Sequence, residues 1–112
     1  MLPVANRLKR DQDFRSLFGS KEGAFGSVCG AKWGKNGLKE SRFAVVVGTK
    51  VSKKAVVRNR LRRQIREMIR LRLNEAKPGY DLVLVVKKEA LGKTGSELEK
   101  EIKKLLKKTP IF

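Results

Sequence analysis

Two unbroken apolar runs, at residues 43–47 and 82–86, constrain the fold of this chain more than any other feature. Such runs are typical of strands in the middle of a sheet that is covered on both faces. Between them, residues 54–74 have the apolar periodicity of a long amphipathic helix. A strand, a crossover helix and a second strand in this order predict two parallel, neighbouring strands. We expect these strands to span residues 42–48 and 80–86.

The N-terminal third is predicted to add a helix and a strand. Residues 6–18 are expected to contain a short helix, with Asp11 as a candidate N-cap. Residues 24–33 then have the character of a strand. The dipeptide Asn36-Gly37 is typical of a hairpin turn, so it predicts a direct turn from this strand to the next one.

The C-terminal part is predicted to form a last amphipathic helix over residues 96–107, with Ser96 as its N-cap. The apolar stripe of this helix would face the sheet, and it consists of Leu98, Ile102, Leu105 and Leu106. Neither a repeat nor a long linker interrupts the sequence pattern. We therefore predict a single α+β domain over residues 1–112, with a mixed sheet and helices packed on it.

Positive charge dominates the composition: 28 Lys and Arg face 11 Asp and Glu, which gives a formal net charge of +17. Repulsion at this density opposes compaction, so a polyanionic partner explains the charge better than the fold does. Nucleic acid is the leading candidate, since protein binding releases its condensed counterions. The apolar runs are too short to span a bilayer, and no signal peptide is visible in the first ten residues. We expect a cytoplasmic protein with no membrane or protein partner.

The chain has no histidine and a single cysteine, Cys29. Zinc sites built from Cys and His are therefore excluded, as are an intrachain disulfide and acid–base catalysis by histidine. We interpret Cys29 as a small buried strand residue. Five acidic residues that could be considered for carboxylate chemistry lie among compensating positive charges, and we interpret them as part of a solvated surface: Asp11, Asp13, Glu97, Glu99 and Glu101.

The long helix carries the strongest functional signal. At helical spacing, an apolar stripe is formed by Val57, Leu61, Ile65 and Met68. Beside it runs a basic ridge of Arg58, Arg62, Arg66 and Arg70, which Asn59 and Arg63 extend. Arginine offers a planar fork that binds phosphate oxygens bidentately, and a surface kept only for solubility normally mixes both signs of charge. The helix therefore predicts polyanion binding, with DNA and RNA both open.

A resemblance to the bacterial ribonuclease P protein family is carried by residues 51–63, VSKKAVVRNRLRR. The hallmark of that family is an Arg-Asn-Arg triplet on the long helix, here Arg58-Asn59-Arg60. Its N-terminal helix is similar to residues 6–10, NRLKR, together with Asp13, Phe14 and Phe18. The resemblance implies an α–β sandwich with a central mixed sheet, like domain 2 of ribosomal protein S5. It also implies a left-handed βαβ crossover, an exception to the usual right-handed rule.

The resemblance further implies a role as the protein subunit of a ribonucleoprotein that removes the 5′ leader of precursor tRNA. The implied partners are ribonuclease P RNA and precursor tRNA. In such an enzyme the RNA subunit holds the Mg²⁺ ions and performs the hydrolysis, and the protein supplies no catalytic residue. The implied contacts to the catalytic RNA are Arg58, Asn59, Arg60, Arg62, Arg63 and Arg66.

A second implied surface is a cleft between the first helix and the sheet, which receives the single-stranded leader. Its residues in this chain would be Phe14, Phe18, Lys50, Lys53 and Lys54. Bases stack on aromatic rings in a basic groove without sequence readout, although Phe residues one turn apart are also typical of a core. We expect a partly exposed Phe14. Relatives often place another aromatic residue at positions 28–31, where this chain has Val-Cys-Gly-Ala, and Trp33 lies slightly later.

Three other interpretations fit parts of the pattern. A structural rRNA-binding protein would share the size and the charge but would need no leader cleft. A DNA-binding regulator would use residues 54–74 as a recognition helix. A free-standing nuclease would need a carboxylate cluster to hold a metal ion, and no convincing one is visible in the sequence. Preference for leader-bearing precursor tRNA over mature tRNA separates the ribonuclease P interpretation from the first of these. Competition by duplex DNA tests the second, and cleavage by the protein alone would support the third.

Overall fold

The structure is a computed structural model that describes residues 2–9, 11–19 and 22–112. In these residues the strands are β1 (Gly23–Phe25), β2 (Cys29–Lys35), β3 (Arg42–Val46) and β4 (Tyr80–Val86), and the α-helices are α1 (Asp11–Phe18), α2 (Ala55–Arg70) and α3 (Gly95–Lys107). The sheet has the order β1-β2-β4-β3, with β3 parallel to β4 and the other neighbouring pairs antiparallel. The predicted α+β class, the mixed sheet and the parallel pair are confirmed.

The unbroken apolar run of β4 is explained by helices on both faces of the sheet. Leu82 and Leu84 are fully buried on the face that packs against α2 and α3. Val83, between them, packs on the opposite face with Leu17 of α1 and with Leu8. Because alternate residues of a strand face opposite sides, a strand covered on both sides needs apolar residues at every position.

The prediction of one strand over residues 24–33 is wrong, since this stretch is divided into β1 and β2. The chain turns between them at Gly26, whose N–H donates to the carbonyl oxygen of Cys29 over 2.9 Å. The two strands pair in antiparallel fashion, with Phe25 opposite Gly30. Gly26 is the sequence signal for this turn, because a glycine inside a strand pattern often marks a break.

The hairpin predicted from Asn36-Gly37 is also wrong. The dipeptide does follow β2, and Gly37 has the positive φ of 71° that favours glycine. However, β4 lies between β2 and β3 in the sheet, so the turn does not join two paired strands. The side chain of Asn36 instead connects the turn to β4, because Nδ2 donates to the Tyr80 carbonyl oxygen over 3.1 Å and to Asp81 Oδ1 over 2.9 Å.

Two helices are shorter than predicted. α2 ends at Arg70, and the rest of the predicted span continues as a 3-10 turn at Leu73–Glu75. α1 occupies only the second part of residues 6–18, and the N-cap role of Asp11 falls on a side chain outside the described part of the chain. Among the described helices, none has the length and apolar character needed to cross a bilayer. The single domain and the left-handed crossover stay predictions.

The N-cap of α3 is Thr94 rather than the predicted Ser96. Thr94 Oγ1 accepts a hydrogen bond from the Glu97 N–H over 3.2 Å, and the Thr94 N–H donates to Glu97 Oε1 over 3.0 Å. This reciprocal pair is a capping box, and the hydrogen bond from the Thr94 backbone lowers the pKa of Glu97. The apolar stripe predicted for this helix is confirmed, because all four of its residues are buried.

Replacing Thr94 with Ala should lower the free energy of unfolding by about 1 kcal/mol, because a terminal N–H of α3 loses its acceptor. Ser96→Ala is the matched control, since it removes a hydroxyl from the exposed first turn, and it should change stability by less than about 0.5 kcal/mol. Urea denaturation of both variants measures the difference. Equal losses would contradict the assignment of Thr94 as the cap.

The segment before α1 runs along the outer side of β3. The Leu8 N–H donates to the Phe43 carbonyl oxygen over 3.0 Å, and Arg7 and Phe43 form a parallel bridge. Nearby, Asn6 Nδ2 donates to the Ser41 carbonyl oxygen over 2.8 Å. These hydrogen bonds hold Arg7 next to the sheet.

Candidate nucleic-acid interface

Arginines cover one side of α2, where the sequence predicted contacts to RNA. We call this surface the basic face. Its exposed members are Asn59, Arg60, Arg63 and Arg66, and its half-buried members are Arg58 and Arg62. The other side of the helix packs on the sheet through the predicted stripe, in which Leu61, Ile65 and Met68 are buried and Val57 is half-buried. Ile69 is fully buried as well and was not predicted.

Two hydrogen bonds hold the first turns of the basic face in place. Arg58 Nη1 donates to the carbonyl oxygen of Ser52 over 2.9 Å, which connects α2 to the loop before it. Arg62 Nη1 donates to Asn59 Oδ1 over 2.6 Å, one turn along the same face. Side chains that are already oriented lose less conformational freedom on binding. The Arg-Asn-Arg triplet is therefore partly ordered before any partner binds.

The basic ridge ends before Arg70. The Nε of Arg70 donates to both carboxylate oxygens of Glu67, over 2.9 and 3.0 Å. This hydrogen bonding lowers the pKa of Glu67 to about 2, so the carboxylate stays ionised at neutral pH. The negative charge of Glu67 partly neutralises Arg70. The more strongly positive part of the ridge therefore lies toward Arg58.

The N-terminal segment extends the positive charge of α2, which helix spacing alone does not reveal. A cavity of about 250 Å³ is lined by Arg7, Lys9 and Arg66 above the apolar side chains of Leu2 and Phe43. The pKa of Arg66 is lowered, first by burial and then by the positive charges of Arg62 and Arg7. In the described ranges, no acidic side chain forms an ion pair with any of these arginines. Crowded cations of this kind favour an anionic partner.

A groove of about 570 Å³ lies between the end of α1 and the sheet. We call it the aromatic groove, and it is lined by Phe18, Gly23, Ala24, Phe25, Gly30, Ala31, Lys32, Val85 and Lys87. Phe18 is 46% exposed and Phe25 is 81% exposed, which is unusual for large apolar side chains. Gly30 pairs with both Phe25 and Val85, and because it has no side chain it leaves the floor of the groove open.

Two lysines supply positive charge to the aromatic groove. Lys87 Nζ lies 5.7 Å from the centroid of the Phe25 ring, within the range of a cation–π interaction. It also donates to the Gly26 carbonyl oxygen over 2.8 Å. Lys32 Nζ donates to the carbonyl oxygen of Phe18, at the end of α1, over 2.8 Å. The groove therefore combines exposed rings with positive charge.

The two predicted cleft phenylalanines have different environments. Phe14 is half-buried, as expected, and it packs against the apolar cluster that contains Leu17 and Val83. Phe18 lines the groove. A further aromatic ring of the groove comes from Phe25 on β1, which the sequence pattern did not predict. Trp33 is buried on the opposite face of the sheet.

The three predicted cleft lysines, Lys50, Lys53 and Lys54, are exposed in the loop between β3 and α2. None of them lines the aromatic groove. The loop follows the carboxyl end of β3, and the last residue of that strand, Val46, lies in the same row of the sheet as Phe25. The lysines therefore follow the border strand β3, whereas Phe25 belongs to β1 at the opposite border of the sheet.

Cys29 is completely buried, as predicted, and burial raises the pKa of its thiol to about 12. The thiol is therefore protonated at neutral pH and is a poor nucleophile. Across residues 2–9, 11–19 and 22–112, no three Asp, Glu or Cys side chains come together as ligands for a metal ion.

Comparisons with known proteins agree with this geometry. A family model described as Ribonuclease P matches residues 2–110. The ribonuclease P protein component of Synechocystis is 36% identical over 112 residues, which cover 99% of this chain and 90% of the relative. The RNase P protein from Thermotoga maritima is 28% identical with a TM-score of 0.82, over 92% of this chain and 96% of that one. The RNase P protein of Staphylococcus aureus, 20% identical, shares the fold with a TM-score of 0.88 over 96% of this chain and 97% of that one. The chain therefore belongs to the ribonuclease P protein family.

Proposed function

We propose that this chain, as the protein subunit of ribonuclease P, binds the catalytic RNA and the 5′ leader of precursor tRNA at the same time. A ribonuclease P protein component is a subunit of an endoribonuclease that matures the 5′ end of tRNA. The observation that carries the proposal is the coexistence of two unlike surfaces, the basic face on α2 and the aromatic groove across the sheet. A general polyanion-binding protein needs only the first of them.

The basic face is proposed to bind the phosphate backbone of the catalytic RNA. Its arginines offer forks that match phosphate oxygens, and their spacing of roughly 5–6 Å along the helix suits successive contacts. Arg60 and Arg63 are exposed, whereas Arg58 is oriented by its hydrogen bond to Ser52. Arg7 and Lys9 would extend this contact beyond the helix.

The aromatic groove is proposed to bind the single-stranded leader. Phe18 and Phe25 present exposed rings on which unpaired bases can stack, and Lys32 and Lys87 supply charge for the backbone. Stacking accepts every base, which suits leaders of varied sequence. The lysines at positions 50, 53 and 54 would continue the positive path beyond the groove. Mature tRNA lacks the leader, so this contact would favour the precursor.

Mg²⁺ is proposed to be held by the RNA subunit. The described acidic residues of this chain do not fit a resident metal ion, because no three of them converge. What the protein would contribute is positive charge near the folded RNA, which replaces part of the counterion requirement. We expect it to act in the cytoplasm and to lower the magnesium concentration that cleavage requires.

Cleavage of a precursor tRNA by a bacterial ribonuclease P RNA tests the proposal. The reaction is run at low magnesium with the RNA alone, with the protein alone and with both. Cleavage at the mature 5′ end only when both are present supports the proposal. Tight RNA binding without stimulation would favour a structural RNA-binding role, and cleavage by the protein alone would favour a free-standing nuclease.

A further inference from the structure

A group of charges connects α1 to the sheet, away from both proposed binding surfaces. Arg42 of β3 donates from Nε and Nη2 to the two carboxylate oxygens of Asp81, over 2.8 and 2.7 Å. Asn36 Nδ2 donates to the same carboxylate over 2.9 Å. Arg42 Nη1 lies 3.4 Å from Oδ2 of Asp13 in α1. We call these four residues the Arg42 network.

We propose that the Arg42 network holds α1 in position on the sheet and thereby sets the width of the aromatic groove. Arg42 and Asp13 are then positioning residues for recognition of the leader, although neither of them lines the groove. The inference rests on the proposed binding of the leader by Phe18 and Phe25.

Arg42 is a rigid point of attachment. Asp81 lies in β4, in the interior of the sheet, and only 6% of its surface is exposed. A bidentate pair with a buried carboxylate fixes both the position and the plane of the guanidinium. The hydrogen bond with Asp81 also raises the pKa of Arg42, so its charge is permanent. Only Nη1 remains directed toward α1.

Asp13 depends on Arg42 for charge compensation. Its Oδ2 is buried and has no hydrogen-bond partner among the residues that the structure describes. The nearby charge of Arg42 is therefore what offsets the loss of hydration of this oxygen. If α1 moved away from the sheet, Asp13 would lose this interaction.

The rest of the contact between α1 and the sheet is small. α1 has eight residues, too few for a helix to be stable without tertiary contacts. It contributes Leu17 and Phe14 to the apolar cluster beneath it, and Lys32 holds the carbonyl oxygen of Phe18 at its far end.

Open space lies on both sides of α1, so a shift of the helix meets little steric resistance. The aromatic groove is on one side, and a cavity of about 320 Å³ lined by Asp13, Leu17 and Gly34 is on the other. Between them, the row of the sheet that contains Val83 and Ala44 lies under Leu17. Without the Arg42 network, α1 can move toward the cavity and widen the groove.

Asp13→Asn is the primary test, because it removes one charge and leaves the pair of Arg42 and Asp81 intact. In the holoenzyme, we expect the affinity ratio of precursor to mature tRNA to fall about two- to fivefold, the range of a partly exposed ion pair. Asp13→Glu, which keeps the carboxylate, should restore most of the ratio. Affinity for ribonuclease P RNA should not change in either variant. The inference would be overturned if the affinities for precursor and mature tRNA fell equally, or if neither affinity fell.

A distance measurement without RNA provides a second test. Spin labels are attached at Arg15→Cys in α1 and Lys88→Cys after β4, both at exposed positions, while the buried native Cys29 stays unlabelled. Asp13→Asn should broaden the distance distribution, and an unchanged distribution would contradict the inference. If the wild-type holoenzyme shows no preference for the leader, the proposed function fails, and the label distances still decide whether the network positions α1.

Discussion

Replacing Arg60, Arg62 and Arg63 together with Ala should weaken binding to ribonuclease P RNA about 10²-fold at moderate salt, from roughly 1 kcal/mol for each lost phosphate contact. The slope of log K against log salt should become shallower by about two to three, because fewer counterions are released. Arg58 is kept, since its hydrogen bond to Ser52 orders the loop before α2. Affinities measured over a series of KCl concentrations give both quantities.

The matched control replaces Lys100, Lys103 and Lys107 of α3 with Ala. These lysines are exposed, so the control removes the same net charge from another helix without disturbing the core. We expect its salt dependence to remain close to that of the wild-type protein. If both triple variants showed the same loss of affinity and the same decrease in the slope of log K against log salt, total charge rather than the basic face would control binding to RNA.

Replacing Phe18 and Phe25 together with Ala should reduce the preference of the holoenzyme for precursor tRNA over mature tRNA by about 30-fold or more, because two base stacks are lost. Base stacking on an aromatic ring contributes about 1–3 kcal/mol for each base, and the double variant removes both exposed rings of the aromatic groove. Binding of mature tRNA should change little, because it has no leader. Equilibrium binding of the two tRNAs to the assembled holoenzyme measures the ratio.

Two controls separate leader contacts from effects on folding. Leu38→Ala removes an exposed apolar side chain outside the groove and should leave the ratio unchanged. Phe14→Ala should lower the free energy of unfolding more than Phe18→Ala, since Phe14 packs in the apolar cluster and Phe18 is exposed. An unchanged ratio in the Phe18 and Phe25 double variant would exclude the groove as the leader site.

The elements governed by local pattern were predictable from the sequence. The unbroken apolar run at residues 82–86 predicted the central strand, because a strand buried on both faces is apolar at every position. The helical periodicity of residues 54–74 predicted the long helix, because a helix buried on one face has a single apolar stripe. The basic face follows from the same periodicity. Ser96 was a reasonable N-cap from local preference, because both Thr94 and Ser96 have a Glu three residues later. The structure shows that Thr94 completes the capping box, with Glu97, and the local sequence does not distinguish the two candidates.

The antiparallel pairing of β2 with β4 was not predictable from the sequence, unlike the parallel pairing of β3 with β4. A turn sequence such as Asn36-Gly37 indicates only local backbone geometry. The insertion of β4 beside β2 depends on contacts between residues as far apart in sequence as Cys29 and Val86. The aromatic groove depends on this arrangement, because Phe25 reaches it only through its register with Gly30. The pairing of Asp13 with Arg42 is hidden for the same reason.

The hydrogen bond from Leu8 to Phe43 protects one border of the sheet before the protein binds its RNA. An open strand at the border of a sheet presents free N–H and C=O groups, and these can recruit a strand from another molecule. At the β3 border this pairing uses part of that backbone, and at the opposite border β1 has only three residues. Because one border strand is partly paired and the other is short, few free backbone groups remain with which another molecule could pair. A newly made subunit can therefore remain available for assembly with RNA while its binding surfaces are still open.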